Sequence, residues 1–195
     1  MNFKLIHILL WTTIGILAPV AAHAHLVDAR FGDFYAGLIH PLTALEHVFP
    51  FVAMGLLAGQ QGVRGARYVL ACFTLALIAG VTAGFFVNSP VVVYINGFSF
   101  IVIGGLVALS KGLPGWLLVV TAGVFGLTHG IANGAVLGPD TLAFNFVSGV
   151  VSAGIIIVSL GAGVVLSLGR PWTKIAVRVV GSWIAAIGLM TMALM

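Results

Sequence analysis

From residue 35 onward the chain is a series of apolar runs of membrane-spanning length, at 35–59, 68–88, 91–110, 115–137, 141–168 and 175–195. Each reaches the ~20 residues that a helix needs to cross a hydrocarbon layer of ~30 Å. Such a layer holds no water for backbone N–H and C=O groups, so a spanning segment must satisfy them within itself as a helix. The breaks between the runs are Gln60–Arg67, Asn88-Ser89-Pro90, Lys111–Pro114, Gly138-Pro139-Asp140 and Gly169–Lys174, and they carry the glycine, proline and charge of turns. The pattern predicts an all-α integral membrane protein, a single bundle of six transmembrane helices over residues 25–195.

Composition removes the alternatives. Only 12 of 195 residues carry formal charge, 6%, while 61% are hydrophobic; an average soluble domain has about 25% charge. So few charges cannot cover a soluble surface, and so much apolar residue is the opposite of a disordered chain. The 26 glycines have no every-third-residue period, which excludes collagen. The lone Cys72 permits no intrachain disulfide framework and no cysteine zinc site. A net charge of +4 without any basic run makes no phosphate-tracking stripe, so no nucleic-acid partner is expected.

Residues 1–24 read as a signal peptide: Lys4, an apolar stretch Leu5–Leu17, and the small-x-small sequence Ala22-His23-Ala24. The alternative is an uncleaved first helix; Pro19 and the cleavage motif favour removal, which leaves His25 as the first residue. Charge sidedness is an independent constraint. Arg64, Arg67, Lys111, Arg170, Lys174 and Arg178 fall in alternate breaks, on one face. Asp28, Arg30, Asp33 and Asp140 fall on the other. The positive-inside rule makes the first face cytoplasmic. Both mature termini are then outside, and the location is the bacterial inner (cytoplasmic) membrane, multi-pass.

Ionisable groups inside spanning helices are expensive and suggest function. Here they are His40, Glu46 and His47 in the first segment and His129 in the fourth; Asn96, Asn133 and Asn145 add amides. At ~1.5 Å rise per residue, a continuous first helix places His40 roughly 8 Å and His47 roughly 18 Å deep, with His129 about 12 Å below the same surface. His40 and His47 lie seven apart and His129 and Asn133 four apart, each pair on one helix face. Pro41 reads as an early helical proline, tolerated beside His40. Gly126, Gly130, Gly134 and Gly138 form a ridge that lets a neighbouring helix come close, most simply as ordinary packing. Imidazoles with a carboxylate suit a borderline divalent metal such as Ni²⁺, Zn²⁺ or Co²⁺. The competing reading is a set of interhelical hydrogen bonds.

The segment His40-Pro41-Leu42-Thr43-Ala44-Leu45-Glu46-His47 resembles the first signature of the HupE/UreJ family, close to HPxxGxDH. Ala44 replaces the glycine and Glu46 the aspartate. A second signature, near HGxAHGxE, is similar to His129-Gly130-Ile131-Ala132-Asn133-Gly134-Ala135-Val136, with Asn133 for the second histidine and Val136 for the glutamate. The resemblance implies a small six-helix membrane protein of the kind found with hydrogenase or urease genes and regarded as a nickel or cobalt permease. Asparagine is a weaker ligand than imidazole and valine is none.

The leading expectation is therefore a secondary permease, not an enzyme, moving Ni²⁺ or Co²⁺ inward. His25 collects the metal, His40, Glu46, His47 and His129 pass it on, and Asn133 assists. The ion is cargo, with no cofactor permanently bound. The partners are the ion and the lipid bilayer, with homo-oligomers or metalloenzyme maturation proteins as further possibilities. Two alternatives stand beside it: a non-transporting accessory subunit for metalloenzyme maturation, and a haem-binding electron carrier with His47 and His129 as axial ligands. A rhomboid-type protease is not expected, since no histidine follows residue 129 to pair with Ser148.

Overall fold

In lipid, the hydrophobic effect does not drive helices together; close packing of small residues and interhelical hydrogen bonds do. The computed structural model, which describes residues 32–87, 89–138 and 140–194, is built on those contacts. Its described residues form seven helices and no strand: α1 (Asp33–Thr43), α2 (Leu45–Gln60), α3 (Gly62–Gly84), α4 (Pro90–Leu109), α5 (Gly115–Gly134), α6 (Ala143–Ser167) and α7 (Pro171–Leu194). Helices α3 to α7 are each long and apolar enough to span, and α1 with α2 qualifies as one bent span, giving five or six. The expected leader 1–24, His25, Asp28 and Arg30 lie outside the described residues.

The first segment is not the continuous helix expected over 35–59. It breaks at Ala44, which is extended (φ −97°, ψ 111°), and α1 and α2 meet at 79°. Two prolines flank the break, Pro41 inside α1 and Pro50 inside α2. Each lacks the N–H that would tie it to the preceding turn, and each ring presses on the carbonyl four residues back. Pro41 is thus well inside α1, not at its tolerated first position. The freed ends are satisfied locally: Ala44 N–H and the Thr43 hydroxyl donate to His40 O, and His47 N–H donates to Ala44 O.

Two other boundaries differ from expectation. Helix α3 starts at Gly62, so Arg64 and Arg67 stand on its first turns and a single residue, Gln61, separates it from α2. Gly62 makes that turn at φ 74°, a left-handed conformation with no steric cost for glycine. Helix α7 likewise starts at Pro171 and takes in Lys174 and Arg178. With 23 and 24 residues, both helices exceed the ~30 Å of hydrocarbon at ~1.5 Å per residue, so their charged turns can stand in the headgroups.

Four helix pairs organise the bundle: α3 with α5, α4 with α7, and α6 with both α1 and α2. Glycines set the approach of each. Gly80 and Gly84 face Gly130 and Gly134 so closely that an added Cβ would collide with backbone. Gly55 faces Gly161, and Gly104 faces Gly181, in the same way. Gly126, Gly130 and Gly134 of the expected ridge all abut α3, whereas Gly138 lies past the end of α5. Helix α2 is central, touching α1, α3, α4, α6 and α7. Phe51, Met54 and Leu57 of α2 are fully enclosed with Phe73 and Ile103.

Cross-element bonds show which ends adjoin. Gln61 Nε2 donates to Lys111 O, Leu113 N–H to Gln61 Oε1, and Arg178 Nε to Ala108 O. The breaks carrying the basic residues therefore cluster at one end. At the other, Leu142 N–H donates to the Asp33 carboxylate at 2.8 Å. Exposed aromatics mark both ends, Tyr68, Trp116 and Trp172 beside the basic residues and Tyr35 and Tyr94 beside the acidic ones, as in a membrane-interface belt.

Candidate functional site

The break at Ala44 turns α1 back over the start of α2 and brings its histidine onto the next one. Residues seven apart on a straight helix are ~10 Å apart along its axis, yet the His40 and His47 rings are 5.4 Å apart. His47 faces inward, 5% exposed, and meets His129 of α5 edge-on at 6.2 Å. His129 is wholly buried, stacked 4.3 Å from Phe125 and edge-on to Phe51. The glycine ridge serves this indirectly: α3 occupies that face of α5, leaving His129 and Asn133 on the adjoining face toward α2 and α4.

Asn133 ties the two motifs together. Its Nδ2 donates to the His129 carbonyl at 2.8 Å and lies 3.3 Å from His47 Nδ1. A carbonyl only accepts, so this contact fixes which way the amide faces. Asn133 Oδ1 and His129 Nδ1 are buried with no hydrogen-bond partner among the described residues. On α4, Asn96 donates to the Thr128 carbonyl at 3.3 Å, and the Ser99 hydroxyl lies 2.9 Å from His129 Nε2. Ser99 is a site residue that the sequence reading missed. A serine in an apolar helix commonly bonds its own helix, and the only signal was its place one turn after Asn96.

Glu46 behaves differently. It is 78% exposed, and its Oε1 approaches His47 Nε2 only to 4.0 Å. With His47, Asn96 and Phe100 it lines a cavity of about 350 Å³ between α2, α4, α5 and α7. Asn145 stands apart at the start of α6, half-buried. Val136 is exposed beyond the end of α5, so that motif position faces away from the cluster. Among the described residues no three His, Cys, Asp or Glu side chains are grouped closely enough to hold a metal. The arrangement is a file, from Glu46 and His40 through His47 to His129, rather than a closed cage.

The family profile described as "HupE / UreJ protein" matches residues 12–191, nearly the whole chain. The curated Protein HupE of Rhizobium leguminosarum bv. viciae is 31% identical over 180 residues, covering 91% of this chain and 93% of that one. This chain belongs to the HupE/UreJ family. No solved structure matches it. The HupE/UreJ membership fits the geometry at a particular point: Ala44, which stands at the glycine of the first signature, is the residue at which the helix breaks. Its φ of −97° is open to alanine. Phe51 and Phe125 pack on His129, and Asn133 and Ser99 lie within hydrogen-bonding distance of the two imidazoles.

Proposed function

We propose that this HupE/UreJ protein is a secondary permease for a divalent transition-metal ion, Ni²⁺ foremost and Co²⁺ next, carrying it inward across the bacterial cytoplasmic membrane. The basic end of the bundle faces the cytoplasm, and the Glu46–His47 cavity opens outward. The observation that carries the reading is the convergence on His47 of four groups from two distant segments, His40, Glu46, His129 and Asn133. Imidazole nitrogens, a carboxylate and an amide oxygen are donors for a borderline divalent metal. Spread along a file, they bind at several weak positions in succession, as conduction requires; a tight cage would trap the ion. Cleavage after Ala24 leaves His25 and its α-amine at the outer face as a further collecting group.

Metal uptake by cells expressing His40→Ala and His47→Ala tests this. The expected outcome is uptake reduced at least tenfold in His47→Ala, the magnitude of losing a main transition-state interaction of ~1.4 kcal/mol or more, with a smaller loss in His40→Ala. Uptake equal to the unmodified protein in both variants overturns the permease reading. In that event, co-purification of a stable protein partner would support an accessory subunit for metalloenzyme maturation.

A further inference from the structure

Ser99 Oγ lies 2.6 Å from the backbone oxygen of Asn96 and 2.9 Å from His129 Nε2. A hydroxyl has one proton, and a carbonyl can only accept. An O···O separation of 2.6 Å therefore requires that proton on the Asn96 side. Ser99 Oγ meets His129 with a lone pair, so Nε2 must carry the ring proton. In a neutral imidazole the other nitrogen is then bare. That nitrogen, His129 Nδ1, is enclosed without a partner among the described residues, and Asn133 Oδ1, four residues on along the same helix face, is a second such acceptor. His47 contrasts with it. The Asn133 amide, fixed by the His129 carbonyl, donates to His47 Nδ1, leaving its proton on Nε2 toward Glu46. Of the two central imidazoles, only His129 has a nitrogen lone pair without a partner among the described residues.

We propose that Ser99 is a positioning residue that holds His129 with its proton on Nε2, so that Nδ1 is the atom presented to an incoming divalent cation, with Asn133 Oδ1 beside it. Asn96 acts through its backbone carbonyl by orienting the hydroxyl. The cation rests on the permease reading above, while the proton placement does not.

The experiment uses the purified full chain in detergent micelles with ¹⁵N-labelled histidine, the His129 signals being assigned by their loss in His129→Gln. Without metal, the unmodified protein and Ser99→Thr are expected to show a protonated Nε2 and a bare Nδ1. Ser99→Ala is expected to show a mixture of both tautomers. Titration of the same samples with Ni²⁺ is expected to give about 10–100-fold weaker binding in Ser99→Ala, the usual effect of losing a group that orients a ligand, and near-unmodified binding in Ser99→Thr. A protonated Nδ1 in the unmodified protein, or a tautomer unchanged in Ser99→Ala, overturns the proposal. So does equal loss of affinity in both variants with the tautomer intact, which marks simple packing. If the tautomer follows Ser99 and the unmodified protein binds no Ni²⁺, the positioning stands and the permease reading falls.

Discussion

At the residue scale, the two departures from the second family signature have different weights. Asn133 lies at the centre of the cluster with its amide bonded to His129 O and His47 Nδ1, whereas Val136 is 54% exposed past the end of α5. Restoring imidazole by Asn133→His is therefore expected to strengthen Ni²⁺ binding, and restoring the carboxylate by Val136→Glu to leave it unchanged; a calorimetric titration of both reads the difference. Asn133→Leu, which keeps the branched skeleton, removes both hydrogen bonds. Interhelical hydrogen bonds in membranes contribute about 0.6 kcal/mol on average and up to about 1.7. A loss of about 1 kcal/mol, seen as a lower unfolding midpoint in detergent, is the expected result. Asn133→Asp should lose more, since a carboxylate oxygen would face the His129 carbonyl in place of a donor.

At the scale of elements, glycine contacts decide how near the helices come. A Cβ on Gly130 would sit 2.8 Å from backbone atoms of Gly80, Leu77 and Val81, whereas one on Gly123 meets nothing within 4 Å. Gly130→Ala must push α5 from α3 and disturb the face that carries His129, at the 1–3 kcal/mol typical of an overpacked core. Gly123→Ala is expected to be neutral or slightly stabilising, since alanine favours helix by about 1 kcal/mol over glycine. Thermal unfolding of the two variants side by side checks the contrast. The α1–α2 bend is the other decision at this scale. Pro41 and Pro50 were visible in the sequence, and so was the fact that proline weakens a helix. Where the chain leaves the ladder, and by what angle, is seen only in the assembled bundle, in which Gly37 sits against the Phe146 backbone of α6. That contact spans distant segments and leaves no local trace.

At the scale of the whole molecule, the pairing has an order that no single segment shows. With α1–α2 taken as one span, the first span pairs with the fifth, the second with the fourth and the third with the sixth. Exchanging the first three spans for the last three leaves that set of pairs unchanged. The first and second kinds of pair run parallel and the third antiparallel, as the rising and falling residue numbers of their glycine contacts show. Such a pairing is what an inverted repeat requires, although the two halves share no evident sequence match. Orientation carries the prediction at this scale. In a Cys72→Ala background, Lys111→Cys should react with a membrane-impermeant thiol reagent only from the cytoplasm, and Asp140→Cys only from outside; the reverse pattern overturns the assigned sidedness. The sequence by itself determined that the chain spans a membrane, where its helices lie, which ends share a charge, and that His40, His47, His129 and Asn133 are out of place in lipid. Those properties follow from transfer energies and local periodicity, which act residue by residue. Only the tertiary structure decided that the first span is bent, that His40 falls back onto His47, that Ser99 reaches His129, and that Val136 points away. Each of these depends on contacts between segments distant in sequence, and such contacts are a property of the assembled bundle.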